Sequence, residues 1–277
     1  MSNAMPTMSF VTTCKGRLDH LRHTLPHLVA QPDSECIVVD YDCPDGAADW
    51  VSANYPGVRL VRVTDAPVFR KSHAQNLGAA IAGAPWLCLV DADILVSDAF
   101  MASVAPLLVA GRYLRPQPVS FGAYGSFVCA RQDFEAVGGY DEAFEGVSYM
   151  DDDLYVRLEM AGMGVTGFPG EHFAAIDHDH ELRTRHYEIK DRPLNHRINF
   201  YYANIKHDLM RHGGSGLPLE SRRAIYAEVK RVVLAHAKGS TGSTHLEVSL
   251  PVRSSVPQRY AWEVRRKWIF DLVETRP

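Results

Sequence analysis

Asp91 and Asp93 stand one residue apart, directly after the apolar run Trp86-Leu87-Cys88-Leu89-Val90. Two carboxylates at that spacing can hold a hard divalent cation, which can in turn bridge phosphate oxygens. A strand-end turn with solvated carboxylates accounts for the same tripeptide, so its weight depends on its surroundings. Asp40 and Asp42 follow Cys36-Ile37-Val38-Val39 in the same way. An acid there can accept from a ribose hydroxyl or a base N–H, although Pro44 and Asp45-Gly46 also supply ordinary turn chemistry. Arg70-Lys71 opens a helical stretch, where a basic pair can face phosphate beside the positive helix end. Asp151-Asp152-Asp153 opens another. One side chain satisfies a helix cap, so three adjacent acids exceed that need. Their repulsion raises at least one pKa, which suits a general base. His178 and His180 alternate in Ile176-Asp177-His178-Asp179-His180 and can complete a metal site.

These residues need elements that bring them together. Met8–Thr12 reads as a short strand, and residues 17–30 as a helix with Leu18, Leu21, Leu25 and Leu28 on one face and Pro26 inside it. Cys36–Val39 and Trp86–Val90 are continuous apolar runs, as in strands buried on both faces of a parallel sheet. Val58–Val63 reads as another strand, Ala47–Ala53 as a short helix and Ser72–Ala82 as a longer one. Such alternation implies a parallel or mixed α/β sheet, with ligands beyond the carboxyl ends of its strands. Thr12, Thr13, Asp40, Asp42, Asp91 and Asp93 lie at those ends, where a nucleotide-binding edge is expected. Asp98–Val109 reads as a helix, residues 111–150 as loops with short strands, Phe127–Ala130 as a strand, and Asp151–Met160 as a helix ended by Gly162 and Gly164. Ser221–Lys238 is helical, with a Gly/Ser/Thr break at 239–244.

The chain has 277 residues, 46% hydrophobic and 22% charged, which excludes disorder, collagen and coiled coil. No apolar run approaches the roughly 20 residues of a spanning helix. Met1-Ser2-Asn3-Ala4 before Met5 reads as an expression scar, and no secretory signal is visible. Five cysteines, without a CxxC, argue against a disulfide framework or structural zinc and for a reducing cytoplasm. The net charge of −4 is uneven. Residues 1–180 carry 11 Lys+Arg against 23 Asp+Glu (−12), and residues 181–277 carry 18 against 10 (+8). The basic part either offsets the acidic part within the molecule or touches an anionic membrane surface. Nucleic acid is not an expected partner, because such binders are more often basic overall.

In this order the segments resemble a GT-A glycosyltransferase of the family 2 type. Val38-Val39-Asp40, Ala74-Gln75-Asn76-Leu77-Gly78 and Leu89-Val90-Asp91-Ala92-Asp93 are similar to its nucleotide-binding half. Gly138-Gly139-Tyr140-Asp141-Glu142 followed by Met150-Asp151-Asp152-Asp153-Leu154-Tyr155-Val156-Arg157 is similar to the galactosyltransferase C-terminal region. Two positions depart from the pattern: Tyr41 stands where a second Asp is common, and Met150 where an acid usually precedes the base.

The resemblance implies a mixed, mostly parallel α/β sheet flanked by helices over residues 5–185, with residues 5–95 as the nucleotide half and 96–185 as the acceptor and metal half. A mostly helical extension would follow over 186–277. It implies Mn²⁺ or Mg²⁺ on Asp93, Asp91 and His178, with His180 as the rival ligand. It implies Asp151 as the catalytic base, with Asp152 beside it in the catalytic set. Thr12, Thr13, Arg17, Asp40, Asp42, Lys71, Asn76, Asp91 and Gly139 would meet a nucleotide-diphosphate sugar, first of all a UDP-sugar, and the acceptor would be a glycan or another hydroxyl. Inversion fits a single base. A sugar-1-phosphate nucleotidyltransferase and a non-catalytic sugar-nucleotide or glycan-binding module are the rival readings. Thr12-Thr13-Cys14-Lys15-Gly16-Arg17 is only a faint version of the phosphate loop that the first rival needs.

Overall fold

The computed structural model describes residues 5–119, 122–177, 180–213, 217–239, 245–251 and 265–271. The chain forms two units, Met1–Lys190 and Asp191–Pro277.

The first unit is built on a seven-stranded sheet in the order β3-β2-β1-β4-β7-β6-β8. One of its inner strands, β1 (Met8–Cys14), is buried along its whole length. On one side it pairs in parallel with β2 (Ser34–Tyr41), which pairs in parallel with β3 (Arg59–Val63). On the other side it pairs in parallel with β4 (Trp86–Leu89). The apolar runs expected to be doubly covered are these central strands: Ile37, Val38, Val39, Leu87, Cys88 and Leu89 are all fully buried. One strand beyond β4 is reversed, and the direction is then restored. β7 (Phe127–Ala130) runs antiparallel to β4, and β6 (Arg112–Gln117) antiparallel to β7, while β8 (Gly164–Pro169) is parallel to β6. The 111–150 stretch therefore holds two of the short strands expected of it, β6 and the Phe127–Ala130 strand.

Helices cover both faces because strand side chains alternate. α1 (Leu18–Val29) puts Leu21 and Leu25 against Val38 and Cys14, together with Val51 of α2 (Ala47–Asn54). Pro26 sits inside α1 without ending it. On the opposite face α3 (Lys71–Ala80) places Ala74 against Val39 and Tyr41. The stretch read as one helix over 98–109 is a short α4 (Phe100–Val104) with a 3-10 turn at Ala105–Leu107, because Pro106 interrupts it. A two-stranded ribbon joins β5 (Ile94–Val96) to β9 (Phe173–Ala175). The remaining helices of this unit are α5 (Arg131–Ala136), α6 (Met150–Met160) and α7 (His180–Thr184).

The second unit packs α8 (Arg192–Gly213) against α9 (Leu219–Gly239), with Tyr202 and Tyr226 ring centroids 5.1 Å apart. An antiparallel hairpin follows, β10 (His245–Pro251) with β11 (Arg265–Asp271). Its inward-facing Phe270 lies 4.6 Å from Tyr201, and the Trp268 indole donates to Asp208 at 3.0 Å. The extension is thus helical with a terminal hairpin, whose period-two pattern Leu246-x-Val248 is the signal a helical reading overlooks.

Candidate active site

Three segments distant in sequence meet on one amine at the carboxyl edge of the sheet. Lys71, the first residue of α3, lies 2.8 and 3.1 Å from the two oxygens of Asp91, just beyond β4. The same Nζ lies 3.8 Å from Asp151 Oδ2 at the start of α6. The Tyr140 hydroxyl donates to the other oxygen of Asp151 at 2.9 Å. Gly125 passes so close that a Cβ there would sit 2.7 Å from Asp151 Oδ2, so only glycine lets this loop close over the carboxylate. Burial raises the Asp151 pKa, and Asp91 and Asp152 push the same way. Lys71 and the Tyr140 hydrogen bond oppose them. Burial alone would lower the Lys71 pKa, but Asp151 and Asp91 outweigh it and raise it, so the amine stays charged.

Asp93 stands beside this cluster with Arg17 at 4.0 Å. Its pKa is pushed up to about 6, first by burial and then by the Asp91 charge. A desolvated, repelled carboxylate is what a bound cation neutralises, and the oxygen donors of Asp91 and Asp93 suit Mn²⁺ or Mg²⁺. Among the described residues no cluster of three or more His, Cys, Asp or Glu forms a metal cage. A carboxylate pair is nevertheless enough for an ion that keeps water and substrate phosphate as its other ligands. The β5–β9 ribbon ends beside Asp93, whose carbonyl accepts the Ile176 N–H at 2.7 Å. His178 lies outside the described residues. His180 begins α7, and its side chain lies outside them as well.

Other expected contacts are engaged in holding the frame. Both Asp40 oxygens accept main-chain N–H groups, from Cys43 at 2.8 Å and Ala48 at 2.6 Å, so this acid fixes the turn and the start of α2. Asp42 has φ +52°, and its Oδ2 accepts from Ala66 N at 3.1 Å. Its side chain is 42% exposed, so it still offers polar surface at the edge. Asn76 donates to the Tyr140 carbonyl at 2.9 Å and to Glu142 at 2.8 Å, and accepts from Tyr140 N at 2.8 Å. Gly139, at φ +63°, would bring a Cβ within 2.6 Å of Asn76 Oδ1, so these two residues form one clasp. It holds the loop that delivers the Tyr140 hydroxyl. Thr12 and Thr13 lie buried inside β1, short of its end, and Thr12 Oγ1 has no partner among the described residues.

The three acids of α6 divide their work. Asp151 faces Lys71, Asp152 accepts from the Tyr124 hydroxyl, and Asp153 forms a fully buried pair with Arg157 at 2.9 Å. Met150 is buried and receives the Ser72 hydroxyl at 3.9 Å, so an acid would have no solvent there. Sequence reading missed four contributors. Lys15 is buried and donates to the carbonyls of Tyr41, Asp42 and Ala66, tying three loops together. Tyr140 and Tyr124 hold acids of α6. Tyr187 comes close enough to Lys71, Asp91, Arg17 and Asp151 for their charges to act on its hydroxyl. The Gly138-Gly139-Tyr140 string was visible, but nothing in its spacing says where a tyrosine hydroxyl points.

Among the solved structures that share this architecture are two in complex with a nucleotide-sugar. One is the mannosyltransferase PcManGT from Pyrobaculum calidifontis in complex with GDP-Man and Mn²⁺. It is 16% identical, over 87% of this chain and 77% of that one, with a TM-score of 0.54. The other is S. aureus TarS 1-349 in complex with UDP-GlcNAc, 12% identical over 84% of this chain and 73% of that one, with a TM-score of 0.54. At such identities the likeness establishes the fold, and the fold is GT-A. Residues 9–121 match the family described as glycosyl transferase family 2, and residues 112–181 the one described as the N-terminal domain of galactosyltransferase. The chain thus carries a segment similar to glycosyl transferase family 2, followed by one similar to a galactosyltransferase domain. No protein of curated function matches the sequence.

Proposed function

We propose that the chain moves a sugar from a nucleotide-diphosphate sugar to an acceptor hydroxyl, on a glycan or a similar molecule, by one inverting displacement. The observation that carries this reading is the Asp151–Lys71–Asp91 cluster, with Asp93 beside it. Asp151 Oδ2 takes the proton of the acceptor hydroxyl, and a carboxylate pKa raised by burial makes it a stronger base than a solvated one. The acceptor oxygen attacks the anomeric carbon, and the bond to the diphosphate oxygen breaks with its electron pair leaving on that oxygen. Lys71 and Arg17 lie within reach of the growing charge. Asp91 and Asp93 would hold Mn²⁺ or Mg²⁺, which supplies further neutralisation of the leaving diphosphate. Inversion is favoured because a single displacement needs only one base, which Asp151 supplies, while Asp152 accepts from Tyr124 and Asp153 is sealed against Arg157.

A UDP-sugar is the first donor to test and GDP-mannose the second. The five cysteines, all free, suit a reducing cytoplasm. Among the described residues no helix is long and apolar enough to cross a membrane. Residues 181–277, at +8, would make weak, salt-sensitive surface contact with anionic lipid.

Thermal unfolding with UDP-GlcNAc and GDP-mannose, each with Mn²⁺ and with EDTA, tests the reading. A donor at a hundredfold excess over its Kd adds roughly 2.7 kcal/mol. The melting temperature should rise with one donor, and only with metal. An equal rise in EDTA would overturn the metal role, and no rise across a wider panel of nucleotide-sugars would overturn the donor site.

A further inference from the structure

Two thiols outside this chemistry face each other at the donor edge. Cys14 is the last residue of β1 and is fully buried. Cys43 lies in the turn after β2 and is half-buried. Their sulfurs are 3.7 Å apart. The Cys43 sulfur also receives the Gly16 N–H at 3.2 Å, and the Cys43 N–H is fixed on Asp40. A sulfur that accepts from a thiol and from main-chain N–H groups is stabilised as thiolate, the form that attacks oxidants. The hydrogen bond from Cys14 is the largest cause, and the N–H groups of Asp45, Gly16 and Arg17 add to it. Together they outweigh burial and bring Cys43 down to about 6. The same hydrogen bond and burial push the Cys14 thiol up. Cys36, Cys88 and Cys129 lack such help, and burial raises all three.

We propose that Cys14 and Cys43 form a reversible, peroxide-sensitive dithiol whose disulfide form weakens donor binding. The second half of this rests on the donor site described above. The Cys43 thiolate attacks a hydroperoxide. The O–O bond breaks, Cys43 becomes a sulfenic acid, and hydroxide or alkoxide leaves. The Cys14 sulfur then attacks the sulfenic sulfur, and its thiol proton departs with the displaced hydroxide as water. Two electrons pass from the two sulfurs to the peroxide, and a thiol reductant reverses the bond. Closing 3.7 Å to a bond of about 2.05 Å moves the ends of both loops. It also removes the thiolate that holds Gly16. The next residue is Arg17, which reaches Asp93 and the Leu182 carbonyl, so the displacement passes directly to the donor edge.

The test uses the full chain with hydrogen peroxide, followed by intact mass and non-reducing peptide mapping. The expected product is lighter by two hydrogen atoms, maps to a Cys14–Cys43 link, and reverts with dithiothreitol. Cys14→Ser should stop at a sulfenic acid trapped by dimedone, and Cys43→Ser should give neither link nor dimedone adduct. Oxygen addition mapped to Cys43 without a link, or a link between other cysteines, overturns the pairing. Thermal shift with UDP-GlcNAc and GDP-mannose, before and after peroxide, reads the second half. The donor-induced shift should shrink in the wild type and persist in Cys43→Ser. If the link forms and the shift is unchanged, the gating is overturned. If the reduced protein shows no shift with any donor, the donor-site reading fails while the mass result still decides the pairing.

Discussion

Asp40 and Asp91 leave strands of the same sheet at the same edge, and their surroundings differ in kind. Asp40 has a main-chain N–H on each oxygen. Asp91 has an ammonium, and 27% of its side chain is open. The start of α6 repeats the contrast within one turn of helix. Asp153 is sealed against Arg157, while Asp151 faces Lys71 and the loop at Gly125. Acids of the first kind build the frame, because fixed N–H groups or a buried guanidinium leave them nothing to exchange. Acids of the second kind are held by a side-chain ammonium and, at Asp151, a hydroxyl, partners that a ligand can replace.

The contrast is broken most sharply at Asp151. Asn is isosteric with Asp and can still accept the Tyr140 hydroxyl, but it cannot take a proton. Asp151→Asn should keep the melting temperature and donor binding while transfer falls by at least about 100-fold. Melting curves and initial rates with a competent donor check this together. If Asp152→Asn is the dead variant and Asp151→Asn transfers normally, the base is one residue later and the family register shifts with it.

Asp153 should behave in the opposite way. Removing its charge strands the Arg157 guanidinium, which is 6% exposed and otherwise donates to the Val137 carbonyl. Breaking such a buried pair costs about 3–5 kcal/mol, so Asp153→Asn should melt on the order of 10 °C lower. The rate per folded molecule at low temperature should change little. A lost rate with an unchanged melting temperature would place Asp153 among the exchanging acids and erase the contrast.

These neighbours also mark how far the sequence could be read. The central strands were legible because double burial demands unbroken apolar runs, as in Cys36–Val39, and α1 because Leu18, Leu21, Leu25 and Leu28 share one face. Asp91, Asp93 and Asp151 stood out because surplus carboxylates at element ends need an explanation. The roles of Asp40 and Asn76 were not legible. Whether an acid meets ligand or main chain depends on the path of the next few residues, here the turn at Cys43 and the Gly139 loop. Lys15 was hidden for the same reason, since its three acceptors are carbonyls that every sequence supplies. The β10–β11 hairpin was missed because a charged, helix-rich extension masks a short period-two pattern.

The mildest test lies at Asp42, between the two kinds. Its Oδ2 accepts from Ala66, as a frame acid would, but its side chain is 42% exposed beside the expected nucleoside position. Asn tolerates the left-handed φ of +52° and keeps one oxygen for the Ala66 N–H. That choice turns the amide NH₂ outward, where the carboxylate had an acceptor. The Lys15 pair at 3.7 Å loses its charge. With Asp42 exposed and Lys15 already bonded to carbonyls, the cost should stay under about 1 kcal/mol, a melting shift of no more than roughly 2–4 °C. A nucleoside N–H that used the carboxylate would lose roughly 1 kcal/mol, about three- to tenfold in donor affinity. Asp42→Asn should therefore show that loss by calorimetry with a near-normal melting curve. Unchanged affinity would make Asp42 a frame acid like Asp40 and move the nucleoside contact to another residue of this edge.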